Sequence, residues 1–292
     1  MAYSARVIAD SVSEVGYRLT TMEVTFPRMV LAEFNTHRVF SRNSASSRAI
    51  PTAKQLERIK SEPFIPIHWG ANQAGMQANA ELSPDDQEEA KAEWLAARDS
   101  AVTHVEKLLK IGLHKQITNR LLEPFMWHTV IVTATEWSNF FALRANPDAQ
   151  PEIRRAAELM RETMNNSRPQ LVKVDEWHLP FIQPDEREWA RENIDDAIKV
   201  SVGRCARVSY LTHDGKRDHA KDIELYERLT SSGHMSPLEH VATPMSFDAI
   251  VTGHNVHGDI FGIENPWSGN FHGWHQFRKT IRNESDFSKV ER

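Results

Sequence analysis

Cysteine is nearly absent: Cys205 is the only one among 292 residues. That excludes an internal disulfide framework and a multi-cysteine zinc site, and it fits the reducing cytoplasm. Long apolar runs are missing too. No stretch approaches the roughly 20 apolar residues of a membrane span, and the N-terminal MAYSARVIADSVSEVG holds no run suited to a signal peptide. There is no excess of positive charge, since 35 Lys and Arg against 40 Asp and Glu leave a net charge of -5. Nothing therefore pulls the whole chain toward nucleic acid or an anionic membrane, and any phosphate recognition is local. No repeat at a solenoid period and no low-complexity linker is present. With 40% hydrophobic and 26% charged residues the composition is that of a soluble globular protein. At about 150 residues per domain the length allows one or two domains. The missing linker favours a single compact α+β domain over residues 1–292.

Residues 19–34 alternate apolar and polar through Met22, Val24 and Phe26, which predicts a half-buried strand interrupted at Pro27. The next segment, 35–51, is rich in Ser, Asn and Arg. Ser83, Pro84, Asp85 and Asp86 form an N-cap, a first-turn proline and acids at the positive end of a helix dipole. Trp94, Leu95, Ala101, Val102, Val105, Leu108 and Leu109 then fall on one helical face, broken by Arg98 and stopped by Gly112. The run TVIVTATEW at 129–137 fits a strand or the buried start of a helix, and periodicity does not separate the two. Helical patterns also cover 151–165, 185–200 and 218–231, the last ending at Gly233. Residues 236–270 read as loops with short strands.

Chemistry concentrates in a few places. THRVFSRNSASSR at 36–48 packs three Arg, one His and four Ser into thirteen residues, directly after a strand. Guanidinium forks and hydroxyls suit phosphate oxygens; a solvated basic loop is the alternative. GHMSPLEH at 233–240 clusters His234, Ser236, Glu239 and His240 around Pro237, and by itself it reads as a helix C-cap and turn. In NFFALR, Asn139 and Arg144 stand five residues apart and point in different directions on a continuous helix. His254 with His257, and His272 with His275, are spaced H-x-x-H, with Asp259 and Glu264 near the first pair. Paired zinc ligands on a helix are usually four apart, so no metal is expected. Cys205 has no neighbouring base and reads as a buried, inert residue.

Taken together these segments resemble the flavin-dependent thymidylate synthases. The family signature R-H-R-x-x-S-x-N-x-x-S-x-R appears as T-H-R-V-F-S-R-N-S-A-S-S-R, with His37, Arg38, Ser41, Asn43, Ser46 and Arg48 in register. A second element, A-R-x-S-Y then G-H-x-S-P-x-E-H, matches 206–210 and 233–240. A third is matched by Arg120 with Pro124, by Asn139 with Leu143 and Arg144, and by AQPEIR at 149–154. The order differs, because the second element precedes the signature in the family and follows it here. A degenerate echo of the signature, WHQFRKTIRNES at 274–285, comes after the displaced element. Thr36, Ser44 and Ala49 also depart from the pattern.

The resemblance implies an α+β fold with a mostly antiparallel sheet flanked by long helices. It implies that His37, Arg38, Asn139, Ser209, His234, Ser236 and Glu239 bind FAD. Ser46, Ser47, Arg48 and Arg120 would hold the nucleotide phosphate, and Arg144 would face the pyrimidine, with Arg144 and Ser46 as the catalytic residues. The implied reaction takes a one-carbon unit from methylenetetrahydrofolate to C5 of a pyrimidine deoxynucleotide monophosphate, most simply dUMP to dTMP. NADPH is the reductant, and the assembly is a cytoplasmic homotetramer. A flavin- and folate-dependent hydroxymethylase of dUMP or dCMP, a non-catalytic nucleotide-binding protein and a metal-dependent hydrolase using the His254 region are the alternatives.

Overall fold

The computed structural model describes residues 2–208, 217–246, 266–282, 284–286 and 288. Its strands are β1 (Ser4–Ser13), β2 (Arg18–Pro27), β3 (Ser41–Ser44), β4 (Trp127–Ala134), β5 (Gln170–Val172), β6 (Ala242–Pro244), β7 (Trp267–Ser268), β8 (Phe271–His272) and β9 (Trp274–Gln276). The helices are α1 (Leu31–Asn35), α2 (Thr52–Ser61), α3 (Pro84–Lys110), α4 (Lys115–Thr118), α5 (Ser138–Arg144), α6 (Pro151–Asn166), α7 (Arg187–Glu192), α8 (Ile194–Arg207) and α9 (His219–Ser231). The main sheet runs β3-β4-β2-β1-β5, antiparallel throughout except for the parallel β1–β5 pair. The architecture is α+β, as the sequence predicts. Two small two-stranded sheets, β6 with β9 and β7 with β8, accompany it.

Alternation along β2 and β4 gives the sheet two unlike faces. Met22, Val24, Phe26, Val130, Val132 and Ala134 point to one side and meet Phe34, Phe40, Phe140 and the α6 stripe Ile153, Ala156, Ala157 and Met160. That stripe follows the i, i+3, i+4, i+7 rule of an amphipathic helix. The opposite face carries Thr21, Thr25, Thr129 and Thr133, which are also buried. β4 resolves the ambiguity of TVIVTATEW: it is a central strand ending at Ala134, and a helix starts only at Ser138.

Three expectations are corrected. The solvated-loop alternative for 36–48 does not hold, because β3 pairs with β4 and buries Ser41 and Asn43. Residues 185–200 do not form one helix. A 3-10 turn at Pro184–Glu186 leads into α7, and the chain breaks at Asn193, with φ -130 and ψ 53, before α8. α3 begins as predicted, with the Ser83 hydroxyl accepting from the Asp86 N–H at 3.2 Å. Its apolar stripe, however, is fully buried only at Val102 and Val105, and Leu109 is exposed.

α8 and α9 pack through a buried ion network. Arg204 reaches Glu186 at 2.6 and 2.7 Å and Asp222 at 3.0 Å, and it donates to the Phe181 carbonyl at 2.8 Å. Arg207 holds the other Asp222 oxygen at 2.6 Å. The helices approach so closely that a Cβ on Gly203 would stand 2.3 Å from the Asp222 carbonyl oxygen. Gly203→Ala therefore forces them apart and strains the network. Its expected cost is about 1–3 kcal/mol by the usual penalty for overpacking, read as a lower urea midpoint; an unchanged midpoint would refute the close approach.

Candidate functional site

The site is built around β3. Ser41 and Asn43 face inward from alternate positions, and each gathers a segment remote in sequence. The Ser41 hydroxyl oxygen accepts from Gln276 Nε2 at 3.1 Å and Asn270 Nδ2 at 3.3 Å. Asn43 Nδ2 donates to the Cys205 carbonyl at 2.9 Å, next to the ARVSY element. The 3-10 turn Ser236–His240 packs on β3 as well. Gln276 Nε2 reaches the Glu239 carbonyl at 3.4 Å, and Arg278 pairs with the Glu239 carboxylate at 2.5 Å. The signature, the displaced GHMSPLEH element and the echo at 274–285 thus meet at one strand.

Arg42 links this junction to a second cluster. Its Nη1 donates to the Phe34 and His37 carbonyls, both at 3.4 Å. Burial lowers the affinity of its guanidinium for the proton, and Glu239 opposes that effect. His37 is buried, set face to face with Phe40 at 5.9 Å and edge-on to Phe140 at 4.9 Å. Arg144 Nε donates to His37 Nε2 at 3.0 Å, and Arg144 Nη2 donates to Thr36 Oγ1 at 3.2 Å. A guanidinium only donates, so Nε2 is the acceptor and the ring proton sits on Nδ1. Desolvation, then Arg144 and Arg42, push the His37 pKa down, which keeps the ring neutral. Thr36, where the family signature has Arg, supplies a hydroxyl acceptor for Arg144.

The residues assigned to phosphate form a third cluster. Glu123 Oε1 accepts from Ser47 Oγ at 3.1 Å and Arg120 Nη1 at 2.7 Å, and it pairs with Arg28 Nε at 2.9 Å. Asn119 Nδ2 ties the loop down through the Ser47 and Ile50 carbonyls at 2.6 and 3.0 Å. Two hydrogen-bond donors and a paired guanidinium converging on one carboxylate oxygen make an arrangement suited to an anionic oxygen. Arg48 is exposed beside it and Ser46 is half-buried.

The remaining assigned residues are dispersed. Arg38, Asn139, His234 and Ser236 are exposed, and His234 Nδ1 is 2.9 Å from the Ser232 hydroxyl. Ser209 lies outside the described residues, as do His254, His257, Asp259 and Glu264. His272 stacks on Trp267 at 4.9 Å. Among the described residues no group of three His, Cys, Asp or Glu side chains is placed to hold a metal, and no helix is long and apolar enough to cross a membrane. Arg42, Glu123, Arg28, Gln276 and Arg278 escaped the sequence reading. Arg42 lies at an unspecified position of the signature, and Gln276 and Arg278 lie in the echo, the one signal that pointed to them.

Under the site, the threonine face of the sheet carries a chain of polar contacts. Ser11 Oγ meets His178 Nδ1 at 2.7 Å, and His178 Nε2 meets Thr21 Oγ1 at 2.8 Å. Thr21 meets Thr133 and Thr133 meets His240 Nδ1, both at 2.7 Å. Each hydroxyl has a single proton, so the tautomer of one histidine fixes that of the other.

A family model described as thymidylate synthase complementing protein matches residues 12–170. The matched span holds the arginine-rich signature, Arg120 and the Arg144 helix, and it stops before ARVSY and GHMSPLEH. No curated protein matches the chain. Among solved structures, a UMP/dUMP methylase PolB from Streptomyces cacaoi bound with 5-Br UMP aligns with a TM-score of 0.46 at 17% identity, covering 56% of this chain and 88% of that one. The same enzyme bound with 5-Br dUMP gives 0.47 at 16% identity, covering 56% and 90%.

Burial, the largest effect at each, pushes His128, His178 and His240 from 6.5 down to about 3. In the unfolded chain these rings titrate near 6.5. Between that pH and about 3 the unfolded state therefore holds more protons, and stability rises with pH. Acidification should remove on the order of 1.4 kcal/mol per pH unit for each histidine. The check is the urea midpoint measured downward from about pH 6.5; a flat profile would mean that these rings are not buried and neutral.

Proposed function

The chain belongs to the thymidylate synthase complementing protein family, and on that premise we propose that it methylates C5 of a pyrimidine deoxynucleotide monophosphate, dUMP to dTMP, with methylenetetrahydrofolate, FAD and NADPH. The observation that carries the reading is the meeting of three dispersed motifs at β3, with Arg144 fixed by His37 and Thr36 beside them.

Arg144 faces the pyrimidine and stabilises negative charge that develops on the ring. Its position is set by two hydrogen bonds rather than by an acid, so the guanidinium keeps its full charge for the substrate. Ser46, Ser47, Arg48 and Arg120 take the phosphate. On this reading Glu123 occupies the phosphate position when nucleotide is absent, and a phosphate with more charge and more oxygens displaces it.

FAD brings a pyrophosphate and a flat ring. Arg38, Asn139 and Ser236 are exposed and have no partner among the described residues, and on this reading each is a donor left available to the pyrophosphate. His37, His234, Glu239 and Ser209 complete the proposed flavin contacts. The bound flavin supplies the hydride, while the chain binds, orients and polarises. Cys205 agrees with this division of labour. It is fully buried and burial pushes its thiol pKa up, whereas a ring-attacking cysteine needs an accessible thiolate. We read residues 1–292 as one domain that works as a homotetramer in the cytoplasm.

Incubation with FAD, NADPH, methylenetetrahydrofolate and either dUMP or dCMP tests the reading by product mass. A methyl on dUMP is the expected product. A hydroxymethyl product or consumption of dCMP alone would replace this reaction with the hydroxymethylase, and unchanged nucleotides would end the enzymatic reading. Arg48→Ala should weaken dUMP binding at least tenfold, about 1.4 kcal/mol, and leave FAD uptake unchanged. Equal losses in calorimetry would place Arg48 outside the phosphate site.

A further inference from the structure

A cavity of about 580 Å³ opens at the other end of the sheet, between the outer edge of β1, the 175–182 loop and α7. From its walls we propose that it binds a nucleoside polyphosphate, at a site separate from the one at β3. Its volume lies within the roughly 300–1,000 Å³ of small-molecule pockets. β1 is three strand spacings from β3 in the sheet order. At about 4.8 Å each, the two sites are roughly 14 Å apart.

Three features of the walls identify the ligand class. The first is an open strand edge. β5 pairs with β1 only over Ser11–Ser13, and a bulge between Val7 and Ala9 interrupts the register with β2. Among the described residues no strand covers the outer edge of Val7–Ala9, which lines the cavity. Its amide and carbonyl groups are free to hydrogen-bond the polar edge of a heterocycle, as they would a neighbouring strand. The second is an apolar wall of Trp177, Leu179 and Ile182, which suits the face of a planar ring. The third is cationic. Arg187 and Arg191, one turn apart on the same side of α7, and Arg168 on the opposite wall all line the cavity. Among the described residues none of the three forms an ion pair, in a chain whose net charge is -5.

The acids at the cavity offset only part of this charge: Asp10 is taken up by Arg18, which leaves Asp175 and Glu176 against three guanidinium groups. Asp10 is engaged by Arg18 at 2.7 and 2.9 Å, by Thr20 at 3.0 Å and by Ser167 at 2.6 Å. Glu176 caps the Lys173 amide at 2.9 Å, and Asp175 stands exposed at the rim. Three separated guanidinium groups match several phosphate groups better than one. The wall is also held in an unusual conformation. Asp175 and Phe181 have φ of 73° and 65°, and the Phe181 carbonyl is pinned by Arg204. A bulky residue in the left-handed region persists only where its surroundings enforce it, and such positions cluster at ligand sites.

The test is calorimetry on the full chain with ATP and dTTP as probes, each in the presence of saturating dUMP. Inorganic tripolyphosphate serves as the polyanion control. At least one nucleoside triphosphate should bind, more tightly than tripolyphosphate. Arg187→Ala/Arg191→Ala should weaken it at least tenfold while dUMP binding stays unchanged. Arg168→Ala, on the other wall, should weaken it too and provides a second variant if the α7 pair misfolds by circular dichroism. No binding to the wild type, equal binding by the variants, or tripolyphosphate binding as tightly as the nucleotides would each overturn the proposal. The product assay plays no part in this readout, so the two readings fail separately.

Discussion

The arrangement of the molecule rests on the polar side chains of a four-residue edge strand. Ser41 and Asn43 sit in a buried layer where an unmet hydrogen bond costs about 1–3 kcal/mol, more than a satisfied one contributes. Their partners are therefore specified, and those partners are Gln276, Asn270 and the Cys205 carbonyl. With an apolar residue at 41 the C-terminal segment would lose its hydrogen bonds to this strand, and with one at 43 α8 would lose its own. The hydrophobic face of β2 and β4 supplies the bulk of the burial, but it has no comparable means of choosing which segment lies where.

Charge is handled differently in each part of the fold. Arg204 sits between Glu186 and Asp222, a buried network in which removing one partner strands the others. The histidines of the threonine face are kept neutral by burial and exchange hydrogen bonds only with hydroxyls. At the site His37 is neutral too, which leaves Arg144 and Arg42 as the cationic groups, whereas Arg278 is paired with both Glu239 and Glu284. The protein thereby keeps uncompensated guanidinium character near β3 without burying an isolated charge.

The displaced motif order loses its oddity in this light. A site is a set of contacts in space, and function belongs to such sites rather than to chain order. The 3-10 turn holding Glu239 reaches β3 from the far end of the sequence, and the echo segment lies beside it through Gln276 and Arg278. An element that looked like a remnant therefore carries part of the junction.

By itself the sequence determined the local elements. The α3 cap at Ser83, the α6 stripe, the end of β2 at Pro27 and the burial of Cys205 all follow from propensity, periodicity and composition, which act over a few residues. It also exposed the motifs that identify the family. Tertiary structure decided the rest: that TVIVTATEW is a central strand, that 185–200 breaks at Asn193, that α3 fully buries only Val102 and Val105, and that Glu123 joins Ser47, Arg120 and Arg28. Those outcomes depend on which polar groups meet across long separations, and a one-dimensional pattern of apolar and polar residues carries no record of such pairings.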